Sequence, residues 1–166
     1  MANILLISSS DISGIPQNVV DWLYEYNKQG HKFIVGDSKG GDSHFHKAIS
    51  SIGAIDNACI YCMDNATSNS YGLPLKVFNT EYDSDNEAAR VVAADNSIEP
   101  YIITGIRNEK DIGFNRQWYE FRDRRMVADC DIAIAVISCG DIPKRIDRMI
   151  TLLNISNKPC YIIRVA

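Results

Sequence analysis

Three stretches of this chain, ANILLISS at 2–9, HKFIVGD at 31–37 and DIAIAVIS at 131–138, are apolar at consecutive positions rather than at alternate ones. A strand with one wet face alternates, because successive side chains point to opposite sides. An unbroken Ile/Val/Leu run is dry on both faces, which is the condition of a strand inside a parallel sheet. These three are therefore expected at the centre of the sheet. ACIYCM (58–63), KPCYIIRV (158–165) and the weaker LKVFNT (75–80) bring the strands to six, and YIITG (101–105) is a further short candidate.

Helical patterns separate these runs. Pro16 opens one that continues through VVDWLYEYNKQ and stops at Gly30, with proline in a first-turn position that tolerates it and glycine past the end. A second begins near Gly41, Asp42 and Ser43 and runs to Gly53. DNEAARVVAAD (85–95), NRQWYEFRDRRMVAD (115–129) and IPKRIDRMITLLN (142–154) are three more. Strands that alternate with helices build βαβ units. The expected fold is α/β: one three-layer α/β/α Rossmann-like domain over residues 1–166 with a mostly parallel sheet. The stretches 64–74 and 106–115 read as loops, the second as a flap.

Composition narrows the function. Hydrophobic residues make up 46%, enough for a proper core, and the formal net charge is -4. A duplex binder draws its affinity from neutralising phosphates, so this balance disfavours nucleic acid as a partner. The apolar start is short, lacks a basic flank and is followed by turn residues, and no segment is long enough to cross a bilayer. A cytoplasmic protein with no membrane partner is expected. Five cysteines, an odd number, suit free thiols. Cys59 and Cys62 have CxxC spacing, but residues three apart on a strand face opposite ways and cannot share a metal. His44 and His46, two apart on a helix, diverge by about 200° and read as surface or supporting residues. No metal and no cofactor are expected.

Open α/β sheets bind ligands beyond the carboxyl ends of their strands. Three such ends carry suitable residues. After the first strand come Ser8, Ser9 and Ser10, small hydroxyl donors that also suit an ordinary loop. After the second, Gly36, Asp37, Lys39, Gly40, Gly41 and Asp42 form a glycine-rich turn into a helix. Glycines let backbone N–H groups approach an anion, the helix dipole favours it, and Lys39 adds a charge. Neither a Walker loop nor GxGxxG is present, and Asp42 or Ser43 would serve equally as a helix N-cap. The third end has Arg122 and Arg125 on one face of the preceding helix, then Ser138, Cys139 and Gly140 in a tight turn. Arginine suits bidentate phosphate recognition, although Glu120 and Asp123 are ready surface partners.

VGDSKGGDSHFHKAI resembles the hGxxxGxD turn and helix of the YspA-type branch of the SLOG superfamily. That superfamily of Rossmann-like domains joins the Smf/DprA proteins and the Lonely-guy phosphoribohydrolases. FRDRRMVADCDIAIAV is similar to its [KR]DxxM…ADxhhhh helix and strand, and KPCYIIRV to its terminal strand. The resemblance implies a phosphate-bearing, nucleotide-type ligand. Some members cleave the N-glycosidic bond of a nucleoside monophosphate, others sense nucleotide-derived signals such as ADP-ribose-like molecules, and others bind single-stranded DNA. Arg122 matches the Lonely-guy arginine. The PGGxGTxxE motif that should follow is replaced by ISCGDIPKR, and its glutamate falls on Arg145. An arginine stays protonated and cannot handle the proton of a glycosidic cleavage; it can hold a second phosphate. A relocated carboxylate would have to be Asp37, Asp42 or Asp141. The expectation is a module that senses or sequesters a nucleotide-derived ligand. The alternative is an N-glycosidase acting through Arg122 with Asp42 or Asp141. Further copies of the same chain are the other partner considered. On this reading Arg122 lines the solvent-filled cleft, so Arg122→Ala weakens binding roughly ten- to a hundredfold and barely changes stability.

Overall fold

A computed structural model describes residues 1–38, 40–62, 71–77 and 112–166, with side chains in the last stretch described from Glu120 onward except at 121. The apolar runs form strands β1 (Asn3–Ser8), β2 (Lys32–Val35), β3 (Ala58–Cys62), β4 (Leu75–Val77), β5 (Ile132–Ser138) and β6 (Cys160–Val165). All pairings are parallel, in the order β4-β3-β2-β1-β5-β6. The three unbroken runs β1, β2 and β5 therefore lie inside the sheet. Among the described residues four α-helices accompany it: α1 (Gln17–Lys28), α2 (Gly41–Ser51), α3 (Ile112–Asp129) and α4 (Lys144–Ile155).

Strand parity divides the core into two layers. Ile4, Leu6, Phe33, Val35 and Ile60 pack with Val19 and Leu23 of α1 and Phe45, Ala48 and Ile49 of α2. Leu5, Ile7, Ile34, Ala133 and Ala135 point the other way, onto Met126 and Val127 of α3 and Ile146, Met149 and Leu153 of α4. Helices on both faces of one parallel sheet make the three-layer α/β/α Rossmann-like arrangement. Each fully buried Leu or Ile contributes about 1.5–3 kcal/mol, so the two-faced strands carry the core.

The helix ends follow local chemistry. Pro16 and Pro143 occupy the N-cap positions of α1 and α4 in extended conformation, each just ahead of the helix it introduces. Gly30 and Gly53 follow the C-caps at φ +82° and +71°, the left-handed region where glycine carries no Cβ penalty. Helix α3 begins at Ile112, so 112–115 belongs to a helix and not to the expected loop. Nothing in FNRQ breaks a helix, and Gly113 falls in the first turn, where its weak propensity costs little. The candidates at 85–95 and 101–105, residues 106–111 of the loop, and most of the 64–74 stretch lie outside the described residues.

From β1 the chain steps outward through β2, β3 and β4; β5 then returns to the opposite side of β1, with β6 beyond it. The strand order reverses between β1 and β5. In open α/β sheets ligands bind outside the carboxyl ends of the strands at such a switch point.

Candidate functional site

The three expected strand ends meet. Ser9 N–H donates to Val136 O at 3.0 Å, carrying the β1 ladder one residue past the strand. Ser138 N–H donates to the Ser9 hydroxyl at 3.1 Å, and the Ser138 hydroxyl donates to Asp11 at 2.7 Å. On its other flank the β1 loop lies against the start of α2. A Cβ on Gly40 would stand 3.0 Å from Ser10 O, and one on Gly41 would stand 2.6 Å from both Ser9 O and Ser8 Oγ. Both glycines are required here by the approach of a neighbouring backbone. Gly40, at φ +90°, is the N-cap of α2. Asp42 and Ser43 therefore sit inside the helix rather than capping it: Asp42 accepts Ser38 N–H at 2.9 Å, and the Ser43 hydroxyl donates back to Gly40 O. The Ser8 hydroxyl is buried against Gly41 with no hydrogen-bond partner among the described residues.

Behind these loops lies a charged network that joins four elements. Arg122 of α3 has 0% exposure. Its guanidinium donates to Asp37 past the end of β2 and, through Nη2 at 2.9 Å, to Asp123. Arg145, in the first turn of α4, forks onto the same Asp123 through Nε at 2.9 Å and Nη2 at 3.1 Å, and gives Nη1 to the Ser38 hydroxyl at 2.9 Å. Burial disfavours the charge on Arg145, but Asp123 beside it, with Asp42 and Asp37 farther off, holds its pKa above the ordinary arginine value. Gly36 leaves room for this assembly, since a Cβ there would meet Asp42 Oδ2 at 2.6 Å and Arg122 Cζ at 3.5 Å. His46 shares a hydrogen bond with Gly36 O at 2.8 Å and is buried rather than on the surface.

The expectation of a solvent-lined Arg122 is thus corrected. The helical spacing that turns Met126 and Val127 inward turns Arg122 and Asp123 inward one turn earlier. A buried guanidinium must be paired, and Asp37 and Asp123 supply the partners. Arg125 does not join them: its charge acts on Tyr61 and Asp129 instead. Asp141 is exposed in the turn after Gly140. Lys39 lies outside the described residues. Several participants were not among the expected site residues: Asp123, which takes both arginines, Arg145 and His46 of the buried assembly, Asp11 on the exposed loop after β1, and Ser38, which both Asp42 and Arg145 engage. The signal for Asp11 was its place directly after the three serines.

Among the described residues no group of three or more His, Cys, Asp or Glu side chains is placed to hold a metal, and no helix is long and apolar enough to cross a membrane. Neither a protein-family model, nor a curated protein, nor a solved structure matches this chain.

Proposed function

We propose that this chain binds a small, phosphate-bearing, nucleotide-derived ligand at the carboxyl ends of β1, β2 and β5, and that it senses or sequesters the ligand without cleaving it. The observation that carries this reading is the meeting of three loops where the strand order reverses, with serine hydroxyls, the amino end of α2 and the β5 turn brought together. Helix amino ends and clustered backbone N–H groups favour anions.

Binding is preferred over N-glycosidic cleavage because two of the three candidate carboxylates, Asp37 and Asp42, are engaged, and the third, Asp141, stands exposed in the turn after Gly140. Asp123 takes both arginines, Asp37 takes Arg122, and Asp42 takes Ser38 N–H. A general acid or base must be free to exchange a proton with the reacting group. At the position of the hydrolase glutamate, Arg145 serves as a strut between α4, α3 and the β2 loop. The test is native mass spectrometry of the purified protein with the four common ribonucleoside 5′-monophosphates and ADP-ribose. Retention of one of them intact supports the proposal. Release of free base moves the assignment to a phosphoribohydrolase, and retention of none overturns it.

A further inference from the structure

Asp11 is an exposed carboxylate on the loop after β1, and its present partner describes what it can receive. The Ser138 hydroxyl donates to Asp11 Oδ2 at 2.7 Å, from the β5 side. Ser9, on the β1 side, helps hold the same carboxyl below its ordinary pKa. A hydroxyl donor thus reaches this carboxylate across the point where the strand order reverses. The surroundings are open: a Cβ at Gly14 or Gly140, on the loops after β1 and β5, would meet nothing within 4 Å. The residue just before Asp11, Ser10, is the one whose carbonyl lies against Gly40 at the start of α2. Along this loop, a phosphate-directed element and a hydroxyl-directed carboxylate are therefore neighbours in sequence and in space.

We infer that Asp11 reads the ribose of the bound nucleotide, accepting its vicinal 2′- and 3′-hydroxyls in place of the hydroxyl of Ser138. This rests on the proposed nucleotide site and adds a specificity to it: ribose over 2′-deoxyribose. The chemistry is that of an ionised carboxylate, an acceptor with two oxygens and no donor. A vicinal diol offers two O–H donors on adjacent carbons, one for each oxygen. The Ser138 hydroxyl can yield, because it rotates about its Cα–Cβ bond at a partly exposed position, while Ser9, buried and accepting Ser138 N–H, stays in place. The same two residues lower the Asp11 pKa, Ser138 more than Ser9, which keeps the carboxyl ionised and accepting at neutral pH. Phosphate and ribose are adjacent groups of a nucleotide, as Ser10 and Asp11 are adjacent on the loop.

The alternative is that Asp11 only ties the β1 and β5 loops together. Isothermal titration separates the two, with the same five nucleotides each paired with its 2′-deoxy counterpart. For the native protein, ribose forms should bind roughly five- to tenfold more tightly, the worth of a charge-assisted hydrogen bond at an exposed site. Asp11→Asn should reduce that preference by weakening the ribose forms, which lose two hydroxyl contacts with the carboxylate, more than the deoxy forms, which keep only the 3′-hydroxyl. An unchanged urea midpoint reports that the variant is folded. Equal binding of ribose and deoxy forms by the native protein overturns the inference alone and leaves the nucleotide site standing. A preference that survives undiminished in Asp11→Asn, or a loss of affinity equal for both forms, also overturns it and returns Asp11 to a loop tie. Binding of none of the ten overturns the proposed function and this assignment with it.

Discussion

Arg122 shows how a residue's environment reverses the consequence of its substitution. As a solvent-lined ligand contact it would be removable at little cost to the fold. At 0% exposure, with Asp37 and Asp123 turned toward it, its loss takes a counter-charge from two carboxylates, of which Asp123 keeps Arg145. Breaking one side of a buried pair costs about 3–5 kcal/mol. Arg122→Ala is therefore expected to lower the urea midpoint sharply at an unchanged m-value. Arg122→Lys should recover only part, because lysine lacks the fork that reaches two acids at once. Glycine gives a second contrast. An Ala at the first position of a helix ordinarily helps, but at Gly41 its Cβ would stand 2.6 Å from Ser9 O, a backbone atom that cannot swing aside. Gly41→Ala should cost about 1–3 kcal/mol, as overpacking does. Gly53→Ala meets no neighbour within 4 Å, so only its φ of +71° opposes it, at about 1–2 kcal/mol. A thermal melt in which Gly41→Ala proves as stable as the native protein would show that the β1 loop and α2 are not held as closely as described.

At the scale of elements, α3 is tied by polar groups at its middle and at its carboxyl end. Its middle turns carry the Arg122–Asp123 pair. Its last residue, Asp129, accepts the Tyr61 hydroxyl of β3 at 2.6 Å and Lys76 of β4 at 3.2 Å, in register neighbours on the sheet. Burial pushes the Asp129 carboxyl up, but Tyr61 and Lys76 together hold it below its ordinary 3.8, and the Tyr61 hydroxyl is correspondingly pushed far above its usual range, by burial first and by Asp129 next. The sign follows from linkage. A carboxyl whose folded value is depressed adds stability above its unfolded pKa and loses it as the pH falls through the folded value. The stability gap between the native protein and Asp129→Asn should thus be full above about pH 4 and shrink as acid is added. A gap of constant size from pH 6 to pH 2, measured by urea titration, would remove Asp129 from the acid limb of the stability curve.

Across the whole molecule, the five cysteines report how the layers are closed. Cys139 is exposed in the turn after β5, Cys59 and Cys160 are half-buried, and Cys62 and Cys130 are buried on opposite sides of the sheet. Burial pushes the Cys130 thiol up to about 11, so little of it is thiolate at pH 8 even when a reagent reaches it. Iodoacetamide at that pH should modify Cys139 first and Cys62 and Cys130 only as fast as the core opens. Mass spectrometry of a timed quench gives the order directly. Early labelling of Cys130 would mean that α3 and α4 leave the sheet more readily than their packing implies. Cys59 and Cys62 lie on one strand yet belong to different layers, which is why their CxxC spacing makes no metal site.

The fold was legible because it is written in local, repeated chemistry. Unbroken apolar runs can be satisfied only by burial on both sides, and β1, β2 and β5 take the three central positions that satisfy it. Pro16, Gly30, Gly53 and Pro143 mark helix ends through their own backbone limits, wherever the helices pack. That small and glycine-rich residues follow the strands was legible too, since strand ends share one side of a parallel sheet. What they touch was not. Ser138 and Asp11 are 127 residues apart in sequence, and Arg122 and Asp37 are 85 apart. A run such as FRDRRM has the same composition whether its charges meet water or one another. Only the docking of α3 against β1 and β3, which turned Arg122 and Asp123 inward with Met126 and Val127, decided that the arginine would be neutralised by carboxylates.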